Sequence, residues 1–181
     1  MIFTQTKIPG VWLIEPNRHT DERGFFARTW CCTEFETRGL NPKLVQCSVS
    51  FNHRSGTLRG LHWQSAPHGE CKVVRCTRGV IFDVVVDLRP DSPTFCRWVG
   101  DTLSCENHKA FYIPEGCAHG FQTVADNSEV FYQMSQFYVA ESAMGVRWDD
   151  SAFGIDWPPA SVRYMSPRDA TYRDFSSRET V

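Results

Sequence analysis

At 181 residues the chain suits one domain, 1–181, long enough to enclose a real core. Hydrophobic residues are 41% and charged residues 22%, as in an ordinary globular protein, and the net charge of -2 argues against non-specific nucleic-acid binding. No apolar stretch approaches the length of a membrane span, and any bound anion must be held by local cations.

Met1 is followed by Ile2-Phe3-Thr4-Gln5, without the basic n-region and long apolar run of a leader, so the expected location is the cytoplasm with reduced thiols. The eight cysteines contain no Cys-x-x-Cys pair, and several sit inside strand-like runs, where they read as small packing hydrophobes. From Ile8 to Val139, β-branched and aromatic runs alternate with Gly, Pro, Asn and Asp. The predicted strands are Trp12–Glu15, Phe25–Thr29, Lys43–Phe51, Gly56–Trp63, Lys72–Thr77, Val80–Asp87, Thr94–Leu103, Lys109–Ile113, Gly120–Val124 and Glu129–Phe137. Helices are expected only at Thr33–Arg38, stopped by Gly39, and weakly near the C-terminus. The pattern is all-β, and so many strands in a chain of this size favour a closed or sandwiched jelly roll. Beyond Pro158-Pro159 the polar segment 158–181 should be a tail lying over the barrel.

Side chains two apart on a strand share a face. Gly60, His62 and Gln64 therefore share one face and Arg59 falls on the other, so a common cavity requires a bulge or kink that Gly60 would permit. Lys72 shares a face with Val74 and Cys76, and Tyr132 shares one with Val130, Met134, Gln136 and Tyr138. If the Asp83 face of its strand is interior, Asp83 is a buried anion that needs a partner. Pro114-Glu115-Gly116-Cys117-Ala118-His119 is similar to the second metal-binding motif of cupins, but Gln64 stands at a ligand position of the first motif and Lys72 at its acid. A cation cannot ligate a cation, so no metal is expected. Arg59, His62, Lys72 and His119 would instead suit an anionic organic substrate.

Several segments together carry a wider likeness: Asp21-Glu22-Arg23-Gly24-Phe25-Phe26, Leu58-Arg59-Gly60-Leu61-His62, Phe82-Asp83-Val84-Val85-Val86-Asp87, Ser92-Pro93-Thr94-Phe95, Ala118-His119-Gly120-Phe121 and Gly154-Ile155-Asp156-Trp157-Pro158. In this order the chain resembles the dTDP-4-dehydrorhamnose 3,5-epimerase family over nearly its whole length. The resemblance implies a cupin-like jelly-roll barrel with its core at about 40–140 and a cofactor-free epimerase of nucleotide-linked 4-keto-6-deoxyhexoses, working at C3 and C5. It implies His62 as general base, Asp169 as the carboxylate that orients it and Tyr132 as general acid. Arg23, Arg59, Lys72 and His119 would surround the substrate, and Tyr138 would stack on the nucleotide base. It also implies a homodimer built on strands in 1–39, with Arg23 and Phe26 reaching the neighbour's site.

The chemistry of the residues agrees with that reading. Inverting a carbon beside a ketone requires a base on one face, an acid on the other and stabilisation of the enolate between them. An imidazole is suited to take the proton at neutral pH, a phenol stays protonated to deliver one, and Lys72 is a candidate to stabilise the oxyanion at C4. Neither Gly-x-Gly-x-x-Gly nor a P-loop occurs, and no redox cofactor is needed. The chain departs from the family pattern at Arg28, at Gln46-Cys47-Ser48, whose Gln46 and Ser48 fall among the substrate contacts, and at Arg168, which replaces a lysine. Asp83 is expected either to support the site from behind or to be paired for structure. Two other readings remain at this stage: a single-site epimerase or ketoisomerase of another sugar nucleotide, and a non-catalytic ligand- or metal-binding cupin module.

Overall fold

Two sheets face each other and hold the core between them. The computed structural model describes residues 1–175. In chain order the elements are β1 (Ile2–Gln5), β2 (Trp12–Glu15), β3 (His19–Asp21), β4 (Gly24–Phe26), α1 (Cys32–Glu36), β5 (Gln46–Asn52), β6 (Leu58–Gln64), β7 (Lys72–Arg78), β8 (Val80–Asp87), β9 (Trp98–Ser104), β10 (Ala110–Ile113), β11 (Cys117–Thr123), β12 (Ser128–Met134), β13 (Ala143–Gly145) and α2 (Pro167–Ala170). The first sheet runs β1-β2-β10-β7-β12-β5, the second β13-β6-β11-β8-β9, and β3 and β4 form a separate hairpin. Neighbouring strands are antiparallel throughout, which makes the expected cupin-like jelly roll. No described helix is long and apolar enough to cross a membrane.

Strand β8 shows why its sequence is a near-continuous apolar run: both of its faces are covered. Ile81 and Val85 point between the sheets and meet Val74, Phe121 and Val130. Phe82, Val84 and Val86 point the other way, under Phe153 and Trp157 of the C-terminal segment. The expected tail from 158 on joins that cover through Met165 and Phe175 and is tied by a parallel bridge from Thr57 to Tyr164; its residues 176–181 lie outside the described residues.

Several expected boundaries move, each for a local reason. The strand expected at Thr94–Leu103 begins only at Trp98, because the Ser92 and Thr94 hydroxyls are turned onto Asp87 in a corner. Phe25–Thr29 shortens to β4 and pairs with β3 outside the barrel. The N-terminal strands expected to serve dimerisation are hydrogen-bonded to their own chain, β1 to β2 and β2 to β10, so the barrel sheet extends beyond the expected 40–140 core. The cysteines divide: Cys71, Cys76 and Cys117 are buried, whereas Cys32 and Cys47 are exposed, so packing accounts for only part of the set. Burial pushes the Cys117 thiol up to about 12 and the Cys76 thiol up to about 11, which keeps both protonated.

Candidate active site

A cavity of about 530 Å³ opens between the two sheets, and its walls gather most of the residues singled out from the sequence. His62 comes from β6 of one sheet and Tyr132 from β12 of the other, so the imidazole and the phenol line it from opposing walls. The kink needed to bring Arg59 in beside His62 is present at Gly60, which has φ +118°, a conformation that favours glycine. Opposite it the register of β11 shifts between His119 and Phe121, and a Cβ on Gly60 would stand 2.6 Å from the Gly120 Cα. The glycine is therefore required both by its own dihedral and by the close approach of β11.

His62 is held by its Nε2, which lies 2.6 Å from Asp169 Oδ1. A carboxylate only accepts, so Nε2 carries the proton and Nδ1 is left with a lone pair, as a base needs. Asp169 itself is fixed by the start of α2, where Ser166 Oγ accepts from its N–H at 3.0 Å. Burial would raise the Asp169 pKa, but the hydrogen bonds from His62, Ser166 and the Gly60 backbone outweigh it and hold the carboxyl below its ordinary value.

His119 sits across the strand pair from His62, and its Nε2 lies 2.8 Å from Asp83 Oδ2. Asp83 is fully buried, and its Oδ1 has no partner among the described residues. Burial raises its pKa, against the opposing pull of His119 and Lys72. Tyr132 lies edge-on to His119 at 5.9 Å, and its phenol is pushed up by burial first and by the charge of Asp83 second. It therefore holds its proton firmly. Lys72 pairs with Glu70 at 2.8 Å, and Arg59 Nε donates to the buried Asn52 Oδ1 at 2.8 Å. At the mouth Tyr138 is 60% exposed, and its N–H donates to Gln46 Oε1 at 3.2 Å. Ser48 lies opposite Tyr132 on β5, and Arg168 donates to the Ala143 carbonyl. Apart from Asp83 and Asn52, which do not line it, all of these line the one cavity.

Two residues expected to reach a neighbour's site lie away from this one. Arg23 is bound to Asp21 at 2.6 Å on the β3–β4 hairpin with its side chain 85% exposed, and Phe26 is 78% exposed, so neither lines the cavity of its own chain. Gln136, placed with Tyr132 by parity, is lost because β12 ends at Met134 and its side chain accepts from the Phe137 N–H. His62 and His119 each give a ring nitrogen to an aspartate, and among the described residues no group of three or more His, Cys, Asp or Glu is arranged to hold a metal. Among the lining residues missed are Glu70 and Tyr172. Glu70 has the same parity as Lys72 and could have been found by extending the face two residues back, whereas Tyr172 lies in irregular tail where no period applies.

The dTDP-4-dehydrorhamnose 3,5-epimerase family matches residues 5–177. The dTDP-4-dehydrorhamnose 3,5-epimerase of Salmonella typhimurium is 41% identical over 176 residues, covering 94% of this chain and 93% of its own. The crystal structure of dTDP-4-dehydrorhamnose 3,5-epimerase from Elizabethkingia anophelis superposes with a TM-score of 0.95 at 37% identity, covering 100% and 99% of the two chains. A dTDP-6-deoxy-D-glucose-3,5-epimerase from Legionella pneumophila, solved in complex with dTDP-4-keto-L-rhamnose, gives a TM-score of 0.90 at 37% identity, covering 96% and 92%. With a jelly roll of the same shape and a sequence match over nearly the whole length, the chain belongs to the dTDP-4-dehydrorhamnose 3,5-epimerase family.

Proposed function

We propose that the protein epimerises a dTDP-linked 4-keto-6-deoxyhexose at C3 and C5, using no cofactor. One observation carries this reading: a carboxylate-oriented imidazole and a firmly protonated phenol line one sugar-sized cavity from opposing sheets. His62 Nδ1 removes the proton from the carbon beside the C4 ketone, and the electron pair moves into the enolate. The negative charge grows on the C4 oxygen, where the Lys72 ammonium faces it. Tyr132 then delivers its proton to the opposite face of the same carbon, and exchange with water returns both groups to their starting states. Asp169 favours the imidazolium while it lasts. Arg59 and Arg168 provide cations for the diphosphate, and Tyr138 offers an exposed ring for the base.

The substrate assignment draws on the Legionella relative, whose structure holds a dTDP-linked 4-keto sugar. The exposed Arg23 and Phe26 suit a homodimer in which each hairpin completes the neighbouring site. Deuterium from heavy water should enter C3 and C5 of dTDP-4-keto-6-deoxyglucose with the wild type, and stop, by a factor of about 10³, with His62→Ala. No incorporation by the wild type would refute the activity, and incorporation at one carbon alone would make the protein a single-site epimerase.

A further inference from the structure

Glu70 is an acid in a cavity that otherwise suits an anion. Its side chain is 10% exposed, and its Oε1 lies 2.8 Å from Lys72 Nζ, which is 11% exposed. The residue between them holds the pair in place. Cys71 is buried, its N–H donates to Ser135 Oγ at 2.8 Å and its carbonyl accepts from the Ser135 N–H at 3.0 Å. With Cys71 fixed at both backbone groups, Glu70 and Lys72 flank it on the cavity side at the start of β7.

A free carboxylate here would repel a sugar diphosphate, so its presence requires a use. The cavity shows the same construction three times: His62 on Asp169 at 2.6 Å, His119 on Asp83 at 2.8 Å and Lys72 on Glu70 at 2.8 Å. In each a cavity-lining side chain has one nitrogen tied to a single carboxylate. We propose that Glu70 is a positioning residue for the established type of reaction, holding the Lys72 ammonium aimed at the C4 oxygen as Asp169 holds His62. This rests on the activity proposed above. An ammonium has three donors, so the one spent on Glu70 leaves two for the oxyanion. The tether removes the freedom of a four-carbon stem, whose loose end would otherwise seek the diphosphate. Pairing Lys72 with Glu70 also leaves Arg59 and Arg168 as the cations for the phosphates, which separates the sugar end from the nucleotide end of the cavity.

The test is a double-mutant cycle read in deuterium exchange and in dTDP affinity. Glu70→Gln keeps the shape and removes the charge. It should lower kcat on the order of tenfold, while KM and dTDP affinity stay the same or tighten, because a negative charge has left the cavity. In a Lys72→Met background, Glu70→Gln should have no further effect, since it acts only through the ammonium. Should Glu70→Gln fail to fold, Glu70→Asp keeps the charge with a shorter reach and should give a smaller loss of the same kind. An unchanged kcat, a rise in KM alone, or losses that multiply in the Lys72→Met background would overturn the proposal while leaving the activity intact. A wild type that exchanges no deuterium would overturn the activity first, and this proposal with it.

Discussion

Asp83 and Asp87 lie four residues apart on the same strand, both fully buried, yet the protein treats them in opposite ways. Asp87 stands at a corner of the fold and is saturated with donors: Arg89 at 2.8 and 2.9 Å, Ser92 at 2.5 Å and Thr94 at 2.6 Å. Burial alone would raise its pKa, but those hydrogen bonds outweigh it and lower the carboxyl to about 2. Asp83 stands behind the cavity with His119 as its hydrogen-bond partner and one oxygen unpaired among the described residues, and burial wins. A carboxylate that serves the fold is fully hydrogen-bonded, whereas one that serves the site is left short of donors. Asp169 combines the two, being held well enough to stay ionised yet directed at His62.

The contrast can be broken or sharpened by replacing each carboxylate with its amide. Asp169→Asn should have the largest effect, a loss of about 10³- to 10⁴-fold in exchange rate, because the amide no longer fixes the imidazole tautomer; thermal unfolding should move little. An Asp169→Asn enzyme with near wild-type exchange would remove the carboxylate from the mechanism. Asp87→Asn should do the reverse, lowering stability by about 2 kcal/mol in denaturant titration while the activity of the folded fraction is kept.

The same figure has a pH dependence whose sign follows from the direction of the change. The folded value near 2 lies below the ordinary 3.8, so the contribution of Asp87 is fully present above about pH 4 and is lost as pH falls through about 2. Unfolding measured against pH should show that acid-side loss in the wild type and less of it in Asp87→Asn. Asp83 has a raised value, so its ionisation opposes folding as pH rises. Asp83→Asn should therefore show the smallest effect, with unchanged or higher melting temperature and roughly a tenfold loss of kcat/KM through His119. A large loss of stability would place Asp83 in the same class as Asp87.

Period-two reading grouped the faces of β7 and β8 because strand parity is local and both strands are regular, and it pointed to Gly60 as the place where parity must break for Arg59 to join His62. It failed where regularity stopped. The corner that starts β9 late depends on hydroxyls reaching a carboxylate five to seven residues away, and the placement of Gln136 depended on a strand end. Glu70 lay one step beyond the strand as it was drawn. Tyr172 packs on Gly145 and lies edge-on to His62 at 5.9 Å, a meeting of segments that no spacing encodes. Asp169 was assigned through family likeness, and the contact with His62 spans 107 positions in sequence.

The order of residues by itself determined the all-β class, the strand faces and the cluster of Arg59, His62, Lys72 and His119, since these follow from side-chain chemistry and from a two-residue repeat, while the roles of the imidazole and the phenol came through the family likeness. Only the tertiary structure decided that Lys72 receives Glu70 and His119 receives Asp83, and that two sheets set the imidazole and the phenol on opposing walls. The physical reason is that pairing, burial and the balance between desolvation and hydrogen bonding depend on distances across the barrel, which a linear spacing does not contain.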